Sequence, residues 1–401
     1  MTPPPAAGPM AAASRELAVP RARSLRLPLD LPLTLAAIGL GLCSVLTLRA
    51  ATEHLVPGQP RYYVDRQAIY LIVGLALMVA LSRIDYSRFR HVAYGIYGAL
   101  LLSILAVLAL GHSANGAQRA INFPLFSFQA SEIGKVLLIL ALSALLVARS
   151  RQLRRVGTTA RVIAAAAVPA LFVVAQPDLG SGMVYMVIAF TLLFVAGTSW
   201  RQLTALVALV AMAAVFVFVA APAAGVHVLK PFQEERLTAF LHPSSNPEKQ
   251  GYQQEESKVA IGAGQKTGRG ESATQTKLNF VPENHTDFIF AAVGEQYGFV
   301  GAALVLSLYA LLIWRTLRIL TMSKNLFGSL VAGGVVAMLM FQVFVNVGMS
   351  IGIMPITGVT LPLMSYGGSS VITTLLAVGL LQSIYVQAGA SRAEKGRVLR
   401  Y

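Results

Sequence analysis

One feature limits this chain more than any other. Runs of mostly apolar residues follow one another along nearly its whole length, each close to the roughly 17–25 residues a helix needs to cross a bilayer's hydrocarbon. Inside hydrocarbon every backbone N–H and C=O must find its partner within the protein, so such runs are read as helices. The spans are expected near 32–49, 67–82, 92–110, 129–148, 162–176, 180–197, 203–222, 287–314, 326–350 and 367–388. A transmembrane β-barrel would show short segments of alternating polarity instead, and these are absent. Composition agrees: 56% of residues are hydrophobic and 12% charged, against roughly 25% charged in a soluble domain. The expected fold class is an all-α polytopic membrane protein of about ten transmembrane helices.

A net charge of +15 could suggest a nucleic-acid partner, but the distribution of the basic residues argues against it. With the N-terminus in the cytoplasm, Arg15/Arg21/Arg23/Arg26, Arg83/Arg88/Arg90, Arg149/Arg151/Arg154/Arg155/Arg161, Arg201, Arg315/Arg318/Lys324 and Arg392/Lys395/Arg397/Arg400 all fall inside. That is the positive-inside pattern of a multi-pass protein. It implies a membrane partner, no nucleic acid, and both termini cytoplasmic. The single cysteine, Cys43, excludes an intramolecular disulfide. Residues 1–30 read as a disordered cytoplasmic tail without the apolar core of a signal peptide. Residues 31–388 form the transmembrane domain, and 389–401 a basic cytoplasmic tail. No repeat of the kind many transporters carry is evident.

This topology leaves one long extracytoplasmic loop, 223–286, between the seventh and eighth spans. It has an amphipathic beginning, a turn at His242–Pro247, a second amphipathic stretch at Gly251–Gly262 and a Gly-rich segment at Gly262–Gly270. The last lacks the strand-then-helix context of a phosphate-binding loop. An organised loop of this length points to function; the alternative is a flexible connection. Other irregular features fall on the same side. Glu132 and Lys135 open the fourth span three residues apart, either as a structural pair or as groups facing a cavity. Asp178 in "QPDLGSG" is a functional candidate or simply a helix cap. "MPITGVTLPLMSYGGSS" (Met354 to Ser370) breaks the helix where only protein or a water-filled cavity could cover its backbone. With Arg66, Arg119 and Asp287, these imply a polar cavity suited to an amphiphile with an anionic head and a lipid tail. Gly328, Gly333 and Gly334 in the ninth span suit close packing, against a partner helix or internally.

Several blocks resemble the SEDS (shape, elongation, division, sporulation) family. They are "FSFQASEIGK", "QPDLGSG", "RLTAFLHP", "SKVAIGAG", "TQTKLNFVPENHTDFIFAAVGEQYGFVG" and "NVGMSIGIMPITGVTLPLMSYGGSS", in the family's order. "SKVAIG" and "TQTKLNF" are nearer the elongation branch than the division branch. The resemblance implies a ten-helix peptidoglycan glycosyltransferase of the bacterial inner membrane, with an extracytoplasmic active site. It would polymerise lipid II beside a class B penicillin-binding protein that supplies transpeptidation. The family's catalytic aspartate falls on Asp287, its fourth-helix positions on Glu132 and Lys135, and its loop arginine on Arg236; Lys258 of the long loop is a further substrate-binding candidate. The chain departs from the family pattern at Ala120, Ala130, Gln265 and Glu255/Glu256.

Such a transfer needs a base for the acceptor hydroxyl and positive charge for the departing pyrophosphate. Asp287 is the expected base; its structural alternative is a carboxylate favoured by a helix N-terminus. Lys135, Arg236, Arg66 and Arg119 could hold pyrophosphate oxygens. A divalent cation, Mg²⁺ or Mn²⁺, could share Asp287 with the pyrophosphate. Glu283 and His285 are supporting candidates, His285 as a capping or hydrogen-bonding group. Ser369, beside Ser370, is expected to shape the cavity and not to act as a nucleophile. Competing readings are a flippase for the same lipid and a scaffold that activates its partner. Clustering of the intramembrane charges toward one side favours catalysis there.

Overall fold

A computed structural model describes residues 29–114, 117–122, 127–217, 250–278, 280–281 and 283–398. The helices are α1 (Leu31–Thr52), α2 (Tyr62–Ser82), α3 (Ala93–Leu110), α4 (Ala130–Ala148), α5 (Val156–Ala175), α6 (Leu179–Val195) and α7 (Trp200–Val215). After the loop come α8 (Gln250–Ala263), α9 (Ile289–Met322), α10 (Leu326–Ser350) and α11 (Gly368–Val398). Among the described residues, eight helices are long and apolar enough to cross a membrane, and Leu179–Val195 and Trp200–Ala213 are shorter apolar helices. Together they coincide with the expected spans, and α8 coincides with the second amphipathic stretch of the loop.

Local chemistry sets several helix starts. Asp30 accepts from the Leu33 N–H at 3.0 Å, Asp178 from Ser181 N–H at 3.0 Å, and Asn325 from Gly328 N–H at 2.9 Å. Each satisfies a donor that a helix N-terminus otherwise leaves open. Thus Asp178 is the helix cap that the Pro/Gly break allowed. Helix α9 is interrupted at Gly298, with φ 61° and ψ −157°. That backbone region is essentially closed to residues with a Cβ.

The interior is built on three helices. About three-quarters of the apolar window of α4 (78%), α10 (72%) and α11 (78%) is buried, against 22% for α2 and 17% for α3. Close packing uses glycines: a Cβ on Gly134 would lie 1.9 Å from the Tyr185 hydroxyl, and one on Gly334 would lie 2.7 Å from Ile139. Gly333 and Gly328 likewise abut Val195 and Tyr86. The small-residue pattern of α10 therefore serves internal packing. These buried helices carry the polar residues described below.

One element departs from expectation. The short connection between α3 and α4 contains an antiparallel three-stranded meander, β1 (His112–Ala114), β2 (Ala117–Asn122) and β3 (Ser127–Phe128), in the order β1-β2-β3. Strand pairing satisfies backbone groups that the helix ends release. The segment is too short and irregular in polarity to announce this by alternation.

Candidate functional site

The centre of the site is the turn preceding α9. Three successive carbonyls there are each captured from a distant part of the chain. His285 O accepts from the Tyr366 N–H at 2.8 Å, Thr286 O from the Ser365 hydroxyl at 2.5 Å, and Asp287 O from the Asn346 side-chain amide at 2.8 Å. The same Asn346 amide donates to Val359 O at 2.7 Å, and Ser365 Oγ accepts from Leu361 N–H at 2.8 Å. The backbone of Asp287 is thus fixed by α10 and by the 361–367 turn, while its half-buried side chain stands immediately before the N-terminus of α9. Both turns contain a non-glycine residue in the left-handed region, Glu283 at φ 57° and Leu363 at φ 64°. Backbone of this kind costs of order 1–3 kcal/mol per residue and tends to gather at functional sites.

An aromatic group lies alongside. The Tyr63 ring is 4.8 Å from His285 and 4.9 Å from Tyr366, and the Arg66 guanidinium sits 4.4 Å over the Tyr62 ring. Burial holds the His285 imidazole below its ordinary 6.5, while the nearby Glu283 charge pulls the other way. Burial also raises the Tyr366 hydroxyl, with Tyr70 adding to the effect, so it remains a neutral phenol. Gln67 of α2 completes the support. Its amide donates to Ser44 Oγ at 3.0 Å and to Ser365 O at 3.2 Å. Glu283 is exposed and accepts from the Thr286 hydroxyl at 2.7 Å.

A few residues farther along, the same turn holds the start of α4. Ser369 Oγ donates to Ser127 O at 2.7 Å and accepts from Gln129 N–H at 2.9 Å. Ser131 Oγ donates to Asp178 at 2.9 Å, and the Tyr185 hydroxyl donates to Ser131 O at 3.1 Å. In the next turn Lys135 Nζ meets Glu132 at 2.5 Å, with side-chain exposures of only 2% and 5%. So Ser365 and Ser369 link the Asp287 turn to the Glu132–Lys135 helix through one short segment. Ser369 is a strut there.

The loop helix α8 is pinned to the end of α10. Gln254 donates to Met349 O and Met354 O, at 3.2 and 2.8 Å, and Ser257 to Ser350 O at 2.8 Å. Lys258 pairs with Glu255 at 2.5 Å on a partly exposed face, and its stem lies against Gly352. The unusual Glu255 is therefore the ion partner of Lys258. Gln265, one of the expected departures, stands at φ 46°, and its carbonyl accepts from Phe299 N–H at 2.9 Å.

Of the residues expected from the sequence, His285, Asp287, Arg66 and Ser369 gather around the 361–370 turn, with Glu283 beside them and Glu132–Lys135 beyond the Ser369 contact. Lys258 stands apart, against Gly352. Arg119 belongs to β2, its side chain lying outside the described residues, as does Arg236 altogether. Asn346, Gln67 and Glu295 were not singled out from the sequence, and Ser365 entered only as part of the Met354–Ser370 break. Uncharged residues inside apolar helices, or a Glu one turn past a conspicuous motif, give little signal until their partners are known. For a metal, no cluster of three His, Cys, Asp or Glu occurs among the described residues. The donor set fits Mg²⁺ or Mn²⁺ as an ion shared between the Asp287 carboxylate and substrate phosphates, since such ions keep several waters and take one or two carboxylates.

A helical bundle of this length, with a structured loop and a polar cluster joining two turns at one end, defines a multi-pass membrane protein with a site at one end of its bundle. The chain belongs to the cell cycle protein family of FtsW, RodA and SpoVE, whose model matches residues 29–389. It is 36% identical over 395 residues to the probable peptidoglycan glycosyltransferase FtsW of Thioalkalivibrio sulfidiphilus, covering 96% of each. It is 35% identical over 358 residues to the peptidoglycan glycosyltransferase MrdB of Escherichia coli K12, covering 89% of this chain and 93% of that one. Among solved structures, it superposes on a chain from a peptidoglycan synthase complex that coordinates polymerization and crosslinking, with a TM-score of 0.76 and 32% identity, covering 90% of this chain and 99% of the other. The rod shape determining protein RodA of Thermus thermophilus gives a TM-score of 0.66 at 30% identity, covering 90% and 97%.

Proposed function

We propose that this chain, a peptidoglycan glycosyltransferase of the FtsW/RodA type, extends glycan strands from lipid II with Asp287 as general base. The observation that carries the reading is the capture of three successive carbonyls, His285 to Asp287, by Tyr366, Ser365 and Asn346. Such a clamp fixes the backbone that carries one carboxylate relative to the buried helices, a part of the preorganisation a base needs.

In the proposed step, the acceptor 4-hydroxyl oxygen attacks C1 of the donor sugar from the face opposite the pyrophosphate. The C1–O bond breaks with its electron pair leaving on the pyrophosphate, and the hydroxyl proton passes to Asp287. Configuration at C1 inverts. Arg66 and Lys135, with Arg236 and Arg119 from the loops, are the proposed partners of the phosphates, and Lys258 of substrate held by the long loop. Mg²⁺ or Mn²⁺ held by Asp287 and the pyrophosphate would neutralise charge on the leaving group.

The arginine-rich end of the bundle is assigned to the cytoplasm by the positive-inside rule, which puts the Asp287 end outside. The partner is a class B penicillin-binding protein, in keeping with the synthase complex that contains a structural relative. Elongation and cell shape are the assigned role, supported by "SKVAIG" and "TQTKLNF". Growth of a strain depleted of its elongation enzyme, but not one depleted of its division enzyme, checks that assignment.

The central test is polymerisation of labelled lipid II by the purified chain, with and without the partner, comparing wild type with Asp287→Asn. Loss of polymer from a folded variant is expected. Wild-type polymer from Asp287→Asn removes Asp287 as base, and lipid translocation without polymer replaces the enzyme reading with transport.

A further inference from the structure

Buried side-chain polar atoms without a hydrogen-bond partner are uneven in their placement. Among the described residues they include atoms of Gln275, Thr276, Asn284, His285, Gln296 and Asn346, all in or against the segment around Asp287. A region carrying such a load must be held by directional bonds, because its polar groups work against simple packing. Glu295 supplies the strongest of them. It is wholly buried, and its carboxylate accepts three successive backbone N–H groups: Thr274 at 2.8 Å and Gln275 at 2.9 Å on Oε1, Thr276 at 2.8 Å on Oε2. Thr276 passes the restraint on, because its carbonyl accepts from the buried Asn284 side-chain amide at 2.7 Å. Asn284 stands three residues before Asp287, inside the same turn. Glu295 also anchors the loop through its backbone, its carbonyl accepting from Arg269 N–H at 2.8 Å.

We infer that Glu295 is a positioning residue for the transfer reaction, acting on Asp287 through the relay Glu295–Thr276–Asn284. This rests on the reading of Asp287 as base. The two acids lie on opposite sides of the α9 start, joined covalently by Phe288 to Gly294 and non-covalently by the relay. The relay closes that stretch into a ring and limits how far the Asp287 turn can tilt from α9. The carboxylate is needed for its two acceptor oxygens. A glutamine in its place has one acceptor, and its NH₂ would face the Thr276 N–H, donor against donor.

The test uses the full chain with lipid II, and four variants: Glu295→Gln, Asn284→Ala, the double variant, and Asp287→Asn. Misplacement of a catalytic group by about 1 Å can cost about 100-fold in rate. Glu295→Gln is expected to lower kcat by tenfold to about that limit, with KM within about twofold because substrate binding is not its task. Asn284→Ala should give a smaller loss of the same kind, and the double variant should be no worse than Glu295→Gln, since the two act in series. A purely structural Glu295 would instead lower the melting temperature and leave kcat per folded molecule unchanged. That outcome, or simple additivity of the two losses, overturns the inference even if Asp287→Asn is inactive. Should Asp287→Asn retain activity, the base assignment and the inference both fall. If Glu295→Gln does not fold, Asn284→Ala carries the decision: wild-type kcat in that variant overturns the inference.

Discussion

Two carboxylates at opposite ends of the bundle, Asp30 and Asp287, sit in differently built surroundings. At the arginine-rich end, charge is spent on charge. Asp30, wholly buried, forms a two-pronged pair with Arg315, Nε at 3.0 Å and Nη2 closer still. Its backbone N–H donates to Gln382 at 2.8 Å, and Ser383 bonds Ile84 O at 2.6 Å while Tyr86 bonds Asn325 at 3.3 Å. These bonds close a helix end or tie helices together. At the Asp287 end, three bonds to Asp287's turn run from uncharged groups to backbone: the Asn346 and Ser365 side chains and the Tyr366 N–H grip its carbonyls. A clasp made of opposite charges holds the fold but neutralises its own chemistry. Holding a turn by its carbonyls with neutral groups fixes its position without an ion pair in the clamp.

The contrast is broken most directly by one substitution at each end. Asp287→Asn should reduce polymerisation by about 10²–10⁴-fold, the range a general base contributes, with melting temperature unchanged. Asp30→Ala should do the reverse: it removes the carboxylate that caps α1 and pairs with the partly exposed Arg315, a loss of about 2 kcal/mol seen as a lower melting temperature in detergent, with normal kcat in the folded fraction. Equal effects on stability from both would erase the distinction.

Smaller changes sharpen it. Ser365→Ala removes the hydroxyl that serves Thr286 and Leu361, and should lower kcat several-fold, about 1 kcal/mol for a lost hydrogen bond, with only a slight fall in melting temperature. Gln265→Gly should raise the melting temperature slightly, since a left-handed non-glycine costs about 1–2 kcal/mol, part of it offset by glycine's entropy. The pH response of His285 is smaller again. Its folded-state pKa is depressed by burial, so between that value and the ordinary 6.5 the unfolded chain binds more protons than the folded one. Stability should then be complete above pH 6.5 and decline as pH falls below it. His285→Gln, measured by melting temperature against pH, should flatten that part of the slope.

Much of this protein could be read from its sequence. Among the described residues, the apolar runs correspond to eight helices long and apolar enough to cross a membrane and to two shorter ones, because a membrane leaves the backbone few alternatives. Asp178 was legible as a cap from its place beside Pro177 and Gly180, and α8 from its amphipathic stretch. The meander at 112–128 was not, because three short strands in a polar connection carry too few residues for alternation to show. Asn346, and the partners of Ser365, were hidden for another reason: a lone amide or hydroxyl in an apolar helix or turn could bond to any neighbour.

What the sequence by itself determined is the class of the molecule, its helical spans, and the motif that carries Asp287. Hydrocarbon enforces helices locally, and local rules can be read along the chain. What only the tertiary structure decided is how Asp287 is held. Its clamp joins residues 59 positions away at Asn346 and 79 away at the Thr286–Ser365 contact, and its relay depends on Glu295 meeting a loop that folds back over the kink at Gly298. Those pairings are set by which helices pack together, and no periodicity along the chain encodes them.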